Sequence, residues 1–403
     1  MSDSDISGRR KGDRLQPATV IMSPLAAILL CVVMPVGTSP ATALAHVPDP
    51  KVITYRMEEL WKANDLDEGF LLGDIADAAS DAAGNVYLLD RQLADIKVFS
   101  PQGSYLETLS RQGEGPGETR APTGLLLTEK NELGIVQSFP PKIVWLDAAG
   151  NPAPVVTALG QAGAEDQPLG PSVGNIRAAA YRAGRLLIAY SQLSLADGNP
   201  NETLTVGAYD RGGRLQVTYR CDSRPLARTP NADCDVRPFT GNAWTVDSKG
   251  RLYSLEDCGP YRVTVRDSAG RPSFTIEREL QRRQRAPTEM EEIENAFRRT
   301  EGVRPGREIR VADRAPAIAR LRLDAEDRLW VLPDTECRAS IDGIAGEFDV
   351  FSTEGILVER VRIVGRAGCV GSTWHFLADD RVVITEPVDE QATVTCYALR
   401  EER

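Results

Sequence analysis

The sequence predicts an all-β fold: a six-bladed β-propeller closed by an N-terminal strand, with one short helix inserted between blades four and five. Three observations carry that expectation. A turn leading into two short strands recurs about every fifty residues. It is clearest in Asp81-Ala-Ala-Gly84-Asn-Val-Tyr-Leu-Leu-Asp90 and returns in Asp247-Ser-Lys-Gly250-Arg-Leu-Tyr-Ser-Leu-Glu256. The strands alternate polar with β-branched or aromatic residues and are bounded by Gly-bearing turns, which favours strand over helix. The last unit lacks a fourth strand, while Val52-Ile-Thr-Tyr-Arg56 has strand character and no neighbour of its own. Such a unit cannot bury both faces alone, so the units stack, and six of them make a ring.

Taken in order, residues 1–45 read as a secretory signal peptide. Arg9, Arg10, Lys11 and Arg14 precede an apolar stretch over 18–36, and Ala43-Leu44-Ala45 supplies an A-x-A cleavage pattern. An uncleaved anchor is the competing reading, and Pro24, Pro35 and Gly37 interrupt the stretch that would have to span. Residues 46–403 form the ring. Turns at 81–84, 130–132, 181–184, 247–250, 324–327 and 378–381 open strands at 86–89, 133–137, 186–190, 252–255, 329–332 and 382–385. Further strands follow at 96–99, 143–146, 204–209, 263–265, 348–351 and 393–399. If 52–56 completes the last blade, the two ends of the chain latch the ring and leave no open sheet edge.

One segment breaks the pattern, an insertion over about 281–315. Thr288-Glu-Met-Glu291 matches a capping box, and Met290, Ile293 and Phe297 fall on one helical face, with Arg298-Arg299 late. The expected helix, 288–299, is either a lid or partner surface, or an excursion packing its apolar stripe on the ring.

The formal charge is −11, and residues 46–403 alone carry −12. That acidic body, with 40 arginines scattered rather than clustered, disfavours nucleic acid. Beyond cleavage no stable membrane insertion is expected, and the chain is expected to be a monomer in the periplasm or outside the cell. Cys31 lies in the leader, which leaves Cys221, Cys234, Cys258, Cys337, Cys369 and Cys396. Six cysteines in an oxidising compartment allow 15 connectivities. Proximity in the chain suggests Cys221–Cys234 and Cys369–Cys396, with Cys258 and Cys337 able to bridge neighbouring blades. No C-x-x-C is present and His375 is the lone histidine after His46, so a zinc site and a His-based dyad lack material.

Several segments resemble the NHL-type repeats of bacterial secreted six-bladed propellers. The likeness rests on the stretch from Ile75 to Gly117 with Gln112-Gly-Glu-Gly-Pro-Gly-Glu118, on Pro122-Thr-Gly-Leu with Lys142-Ile-Val-Trp-Leu-Asp147, and on Phe239-Thr-Gly with 247–270. Thr119 stands where that family often has an aromatic. The resemblance implies a ring used for protein, peptide or small-ligand binding.

The residues after the second strand of each blade gather at one mouth of a propeller channel. Here they are Asp90, Ser138, Tyr190, Glu256, Asp334 and Glu386, with Arg91 and Asp257 alongside. Four carboxylates, Asp90, Glu256, Asp334 and Glu386, would focus negative potential there and could offer oxygens to calcium. The bland alternative is that each accepts backbone N–H bonds in its own turn. Asp65-Leu-Asp67-Glu-Gly69 lacks the ligand spacing of a calcium loop. The favoured function is a secreted, non-catalytic binding propeller, with no cofactor, that holds a peptide, protein or glycan at one rim. The alternative is a calcium-dependent hydrolase of lactonase type, although no mouth position is the Asn such enzymes usually place at the metal.

Overall fold

The protein is described by a computed structural model over residues 50–402, apart from 65–68, 157–173, 197–198, 236, 335–342, 366–371, 378 and 389–390. Residues 1–45, the acidic stretch from Asp65 to Glu68, Cys337 and Cys369 therefore lie outside the described residues.

The recurring turn has a common cause. Asp81, Asp247 and Asp324 each fold a carboxylate back onto the backbone, with Asp247 Oδ1 accepting the N–H of Lys249 at 2.9 Å and of Arg251 at 2.8 Å. The left-handed residue needed to finish the turn is Gly84 (φ 86°) or Gly250 (φ 79°), whereas Asp327 (φ 62°) does the same in unit five.

After a leading strand β1 (Lys51–Ala63), blade one is β2 (Ile75–Ser80), β3 (Val86–Asp90), β4 (Asp95–Phe99) and β5 (Tyr105–Leu109). A small parallel pair, β6 (Arg111–Gln112) and β7 (Glu118–Thr119), joins it to blade two. Blade two is β8 (Pro122–Leu127), β9 (Leu133–Gln137), β10 (Lys142–Leu146) and β11 (Pro152–Val156). Blade three has longer strands, β12 (Gly174–Arg182), β13 (Arg185–Ala196), β14 (Asn199–Tyr209) and β15 (Leu215–Pro225). Blade four is β16 (Trp244–Val246), β17 (Leu252–Ser254), β18 (Tyr261–Arg266) and β19 (Pro272–Arg278). Helix α1 (Pro287–Glu301) follows, then blade five: β20 (Ile318–Leu323), β21 (Leu329–Pro333), β22 (Ile344–Phe351) and β23 (Leu357–Val364). Blade six is β24 (Thr373–Phe376), β25 (Arg381–Val388) and β26 (Gln391–Glu401).

In every blade the first strand is innermost and the chain meanders outward. Blade six takes its fourth strand from β1, which runs antiparallel to β26 from Tyr55↔Glu401 to Ala63↔Val394. The expected latch is present and does more than complete one blade. The first half of β1 also pairs in parallel with β23, from Lys51↔Glu359 to Arg56↔Val364, so blades five and six share one eight-stranded sheet.

The core is divided accordingly. Six buried apolar clusters occupy the six seams between neighbouring blades. The seam of blades six and one contains Trp61 of β1, stacked on Phe99 at 5.4 Å and 19°. Across the seam of blades four and five, the Tyr261 hydroxyl donates to Asp349 at 2.8 Å.

Two expectations are corrected. Helix α1 begins one residue before the expected cap: Pro287 takes the first turn, Ala286 is the N-cap without a side-chain bond, and the Thr288–Glu291 capping box is not used. Proline at this position needs no N–H partner and sets φ for the helix, so the start falls there. The disulfide pairs Cys234 with Cys258, ruling out Cys221–Cys234 and Cys258–Cys337; Cys396 is a free, buried thiol, ruling out Cys369–Cys396. Cys258 follows β17 of blade four, and the loop bearing Cys234 leads into that blade, so the two meet at one end of the sheet.

Candidate functional site

The end of the ring where second strands finish is the mouth expected from the sequence, and its residues have other duties. Asp90 is 0% exposed and accepts the N–H groups of Gly73 (2.5 Å), Asp74 (3.3 Å) and Leu93 (2.9 Å). Arg91 pairs with exposed Asp74, its Nε 3.1 Å from the carboxylate. Tyr190 lies in the seam of blades two and three, where burial raises its pKa. Glu256 is held by Arg266 at 2.6 Å, Asp257 by Arg262 at 2.6 Å, and Asp334 by Arg283 at 3.1 Å. Glu386 is exposed. Of the four expected carboxylates, Glu256 and Asp334 are therefore paired with arginines and Asp90 with backbone N–H groups, while Glu386 stays exposed. Among the described residues no three His, Cys, Asp or Glu side chains gather as a metal site.

Helix α1 is tied across that same end. Arg283 grips Glu289 with two bonds of 2.8 Å and also reaches Asp334 of blade five, and the bonds to Glu289 raise its pKa. At the other end of the helix, Glu301 accepts from Arg177 of blade three at 2.7 Å. A buried pair, Arg285 with Asp233 at 2.7 and 3.0 Å, anchors the segment before the helix. The helix therefore bridges blades five and three by ion pairs rather than by its modest apolar stripe.

The opposite end is open. A cavity of about 970 Å³ is lined by the innermost strands of all six blades and by the turns that follow them. Blade one contributes Ala79 and the turn from Asp81 to Gly84; blade two, Leu127 to Glu129; blade three, Tyr181 and Arg182. Blade four contributes Trp244 and Thr245, blade five Arg322, and blade six Phe376 and Asp379. Small residues at 78, 79, 179 and 180 keep the inner strands of blades one and three from filling the axis. The sequence carried no signal that these residues border a void.

Most charged groups on this wall are satisfied. Asp81 accepts from Asn85 (2.9 Å) and Tyr87 (3.1 Å), Asp379 from Arg381 (2.8 Å), and Glu129 from the Gly184 N–H (3.3 Å). Arg182 donates to Asp327 at 2.6 Å and to the Asp324 carbonyl at 3.0 Å, reaching from blade three to blade five. The guanidinium of Arg322 lies 4.2 Å from the ring centre of Phe376 and 4.9 Å from that of Trp330. Burial pushes its pKa down to about 10, opposed by Asp324 and Asp380 and reinforced by Arg320 and Arg182. His375 is buried, with Nδ1 3.5 Å from Asp77 and no hydrogen-bond partner for Nε2 among the described residues.

A family model described as a 6-bladed beta-propeller matches residues 67–153, which span blade one and most of blade two. No curated protein matches the chain in sequence. Among solved structures, a member of the duf4221 family from Bacteroides vulgatus is 11% identical over 86% of this chain and 99% of its own, with a TM-score of 0.47. A virginiamycin B lyase from Staphylococcus aureus is 10% identical over 83% and 98%, with a TM-score of 0.39. A calcium-binding protein, regucalcin, from Agrobacterium tumefaciens is 12% identical over 86% and 97%, with a TM-score of 0.38. At these identities and scores nothing about ligand or activity carries across.

Proposed function

We propose that this is an exported, non-catalytic binding propeller of the bacterial NHL-repeat type, which takes part of a peptide, protein or glycan into its channel from the turn end. The observation that carries the reading is the 970 Å³ cavity to which every blade contributes. A concave site of that size, with both aromatic and polar side chains in its wall, is what a small ligand or chain end needs. The leader pattern and the Cys234–Cys258 disulfide support export. Among the described residues no helix is long and apolar enough to cross a membrane.

The calcium-dependent hydrolase reading finds no support in the placement of its ligands. Asp90 is spent on backbone N–H groups, and Glu256 and Asp334 are ion-paired with arginines. His375 could turn an imidazole toward Asp77, but no nucleophile bonds its Nε2 among the described residues. Catalysis of the triad kind needs that contact.

The test is to fill the cavity. Gly241 lines it, and an added Cβ there would meet only the Ala178 Cβ, at 3.9 Å. Ligand-observed NMR with small aromatic acids, amides and amines and with tripeptides should show contacts in the wild type that vanish in Gly241→Trp. If no compound gives a contact sensitive to that substitution, the channel is not the binding place.

A further inference from the structure

We infer that the channel site is selective for a carboxylate, with Arg322 as the group that receives it. The inference rests on the proposed channel function and names the chemistry of its ligand. Among the described residues two arginines line the cavity, Arg182 and Arg322. Arg182 is committed to Asp327 and the Asp324 carbonyl. Arg322 has neither a hydrogen bond nor an ion pair among the described residues. Of the two acids whose charges act on it, Asp324 accepts from the Trp330 indole at 2.9 Å and from Arg328 at 2.8 Å, and Asp380 forms no ion pair with it.

An arginine enclosed in protein without a hydrogen-bonded counter-charge costs stability, and its retention asks for a reason. Its setting supplies one. Phe376 and Trp330 stand against the guanidinium, and contacts of this kind hold the planar group while leaving its N–H edges to donate. Such a fork, fixed beforehand, matches a carboxylate in bidentate fashion and loses little entropy on binding it. The side chain keeps some exposure although protein surrounds it closely, as expected for a group that looks into a narrow channel.

The charge of the anion follows from the wall. Among the described residues one uncommitted cation faces a rim bearing Asp81, Glu129 and Asp379, and the whole chain carries −11. A single negative charge is balanced by Arg322, whereas a phosphate dianion would meet net repulsion. The aromatic side chains of Tyr181, Trp244 and Phe376 on the same wall suit an apolar or aromatic body behind the carboxylate.

The experiment uses benzoate, with benzamide as its neutral counterpart and benzylamine as the cation, against wild type, Arg322→Gln, Arg322→Lys and Gly241→Trp. Affinities come from NMR titration, with a melting curve for each variant. Wild type should bind benzoate at least about tenfold more tightly than benzamide, and Arg322→Gln should remove that preference, as loss of a charged hydrogen-bond pair implies. Arg322→Lys should keep part of it, since the charge survives and the fork does not. Arg322→Gln should melt no lower than wild type. Gly-Gly-Phe and its C-terminal amide then separate the source: a preference for the free acid points to a peptide end, and its absence to a small free acid. Equal binding of benzoate to wild type and Arg322→Gln overturns the inference. If benzamide or benzylamine binds as well as benzoate and Gly241→Trp abolishes it, the carboxylate assignment fails while the channel reading stands. If nothing binds in a manner sensitive to Gly241→Trp, both fail.

Discussion

Replacing Trp61 with alanine tests whether β1 closes the ring. Trp61 belongs to β1 but packs beyond its own sheet, in the seam with blade one, beside Phe99, Phe70 and Leu72. It is 7% exposed and lies so close to Gly103 that an added Cβ there would come within 2.4 Å of the Trp61 Cγ. Large-to-small changes of this kind cost about 3–5 kcal/mol, through lost burial and the cavity left behind. Against a total stability of about 5–15 kcal/mol, that is a large fraction. Val52, on the same strand but 50% exposed, serves as the control, and Val52→Ala should stay within about 0.5 kcal/mol of wild type. Guanidinium unfolding followed by far-ultraviolet circular dichroism gives both values. A loss below about 1 kcal/mol for Trp61→Ala, or equal losses for the two variants, would refute the view that β1 seals the seam through its indole. Gly103→Ala offers an independent approach to the same contact, because φ is 86° there and the methyl group meets the indole.

Three further outcomes are expected. Asp349→Ala should destabilise by about 3–5 kcal/mol, because it strands the buried Tyr261 hydroxyl and leaves Arg278 without its partner; a double-mutant cycle with Tyr261→Phe measures the share of that bond. Replacing both Cys234 and Cys258 with serine should cost about 3 kcal/mol, the closure term for a loop of sequence separation 24, read from chemical denaturation with and without reductant. Burial, and then the charge of Asp81, push the Tyr87 phenol up to about 12 from its ordinary 10.0. The unfolded chain then loses this proton first, so the stability it contributes is intact below about pH 10 and falls as pH rises toward 12. Wild type should lose more stability over that window than Tyr87→Phe; parallel melting curves would contradict the assignment.

The ring was legible in the sequence because its cause is local. Asp81, Asp247 and Asp324 fold their own turns, and the strands after them alternate, so neighbouring residues suffice to place each unit. The latch was legible for a similar reason, as Val52 to Arg56 reads as a strand without a neighbour. Its second partner, β23, was hidden, since parallel pairing leaves no turn to announce it. The partners of the mouth residues were hidden for a different reason. Residues after the second strands are acidic, but whether an acid projects a field depends on a cation brought from elsewhere: Arg283 reaches Asp334 across 51 positions of sequence. The cavity is still less local, being the space that six inner strands leave between them, with alanines at 78, 79, 179 and 180 on two of them. Arg322 reads as one polar residue in an alternating strand, and its lack of a partner is visible only once the ring has closed.

The placement of β1 has a kinetic consequence. Ala63 pairs with Val394 and Tyr55 with Glu401, so the earliest strand must wait for the last before it can dock. Bringing such distant points of a flexible chain together costs on the order of 5 kcal/mol, a toll reduced when the intervening blades have already assembled and shortened the effective tether. Until then β23 and β26 both present bare backbone edges, adjacent and unprotected. A β1 strand from another copy fits that gap as well as the chain's own does. Crowded refolding therefore favours exchange of this strand between molecules, and dilution favours the self-contained ring.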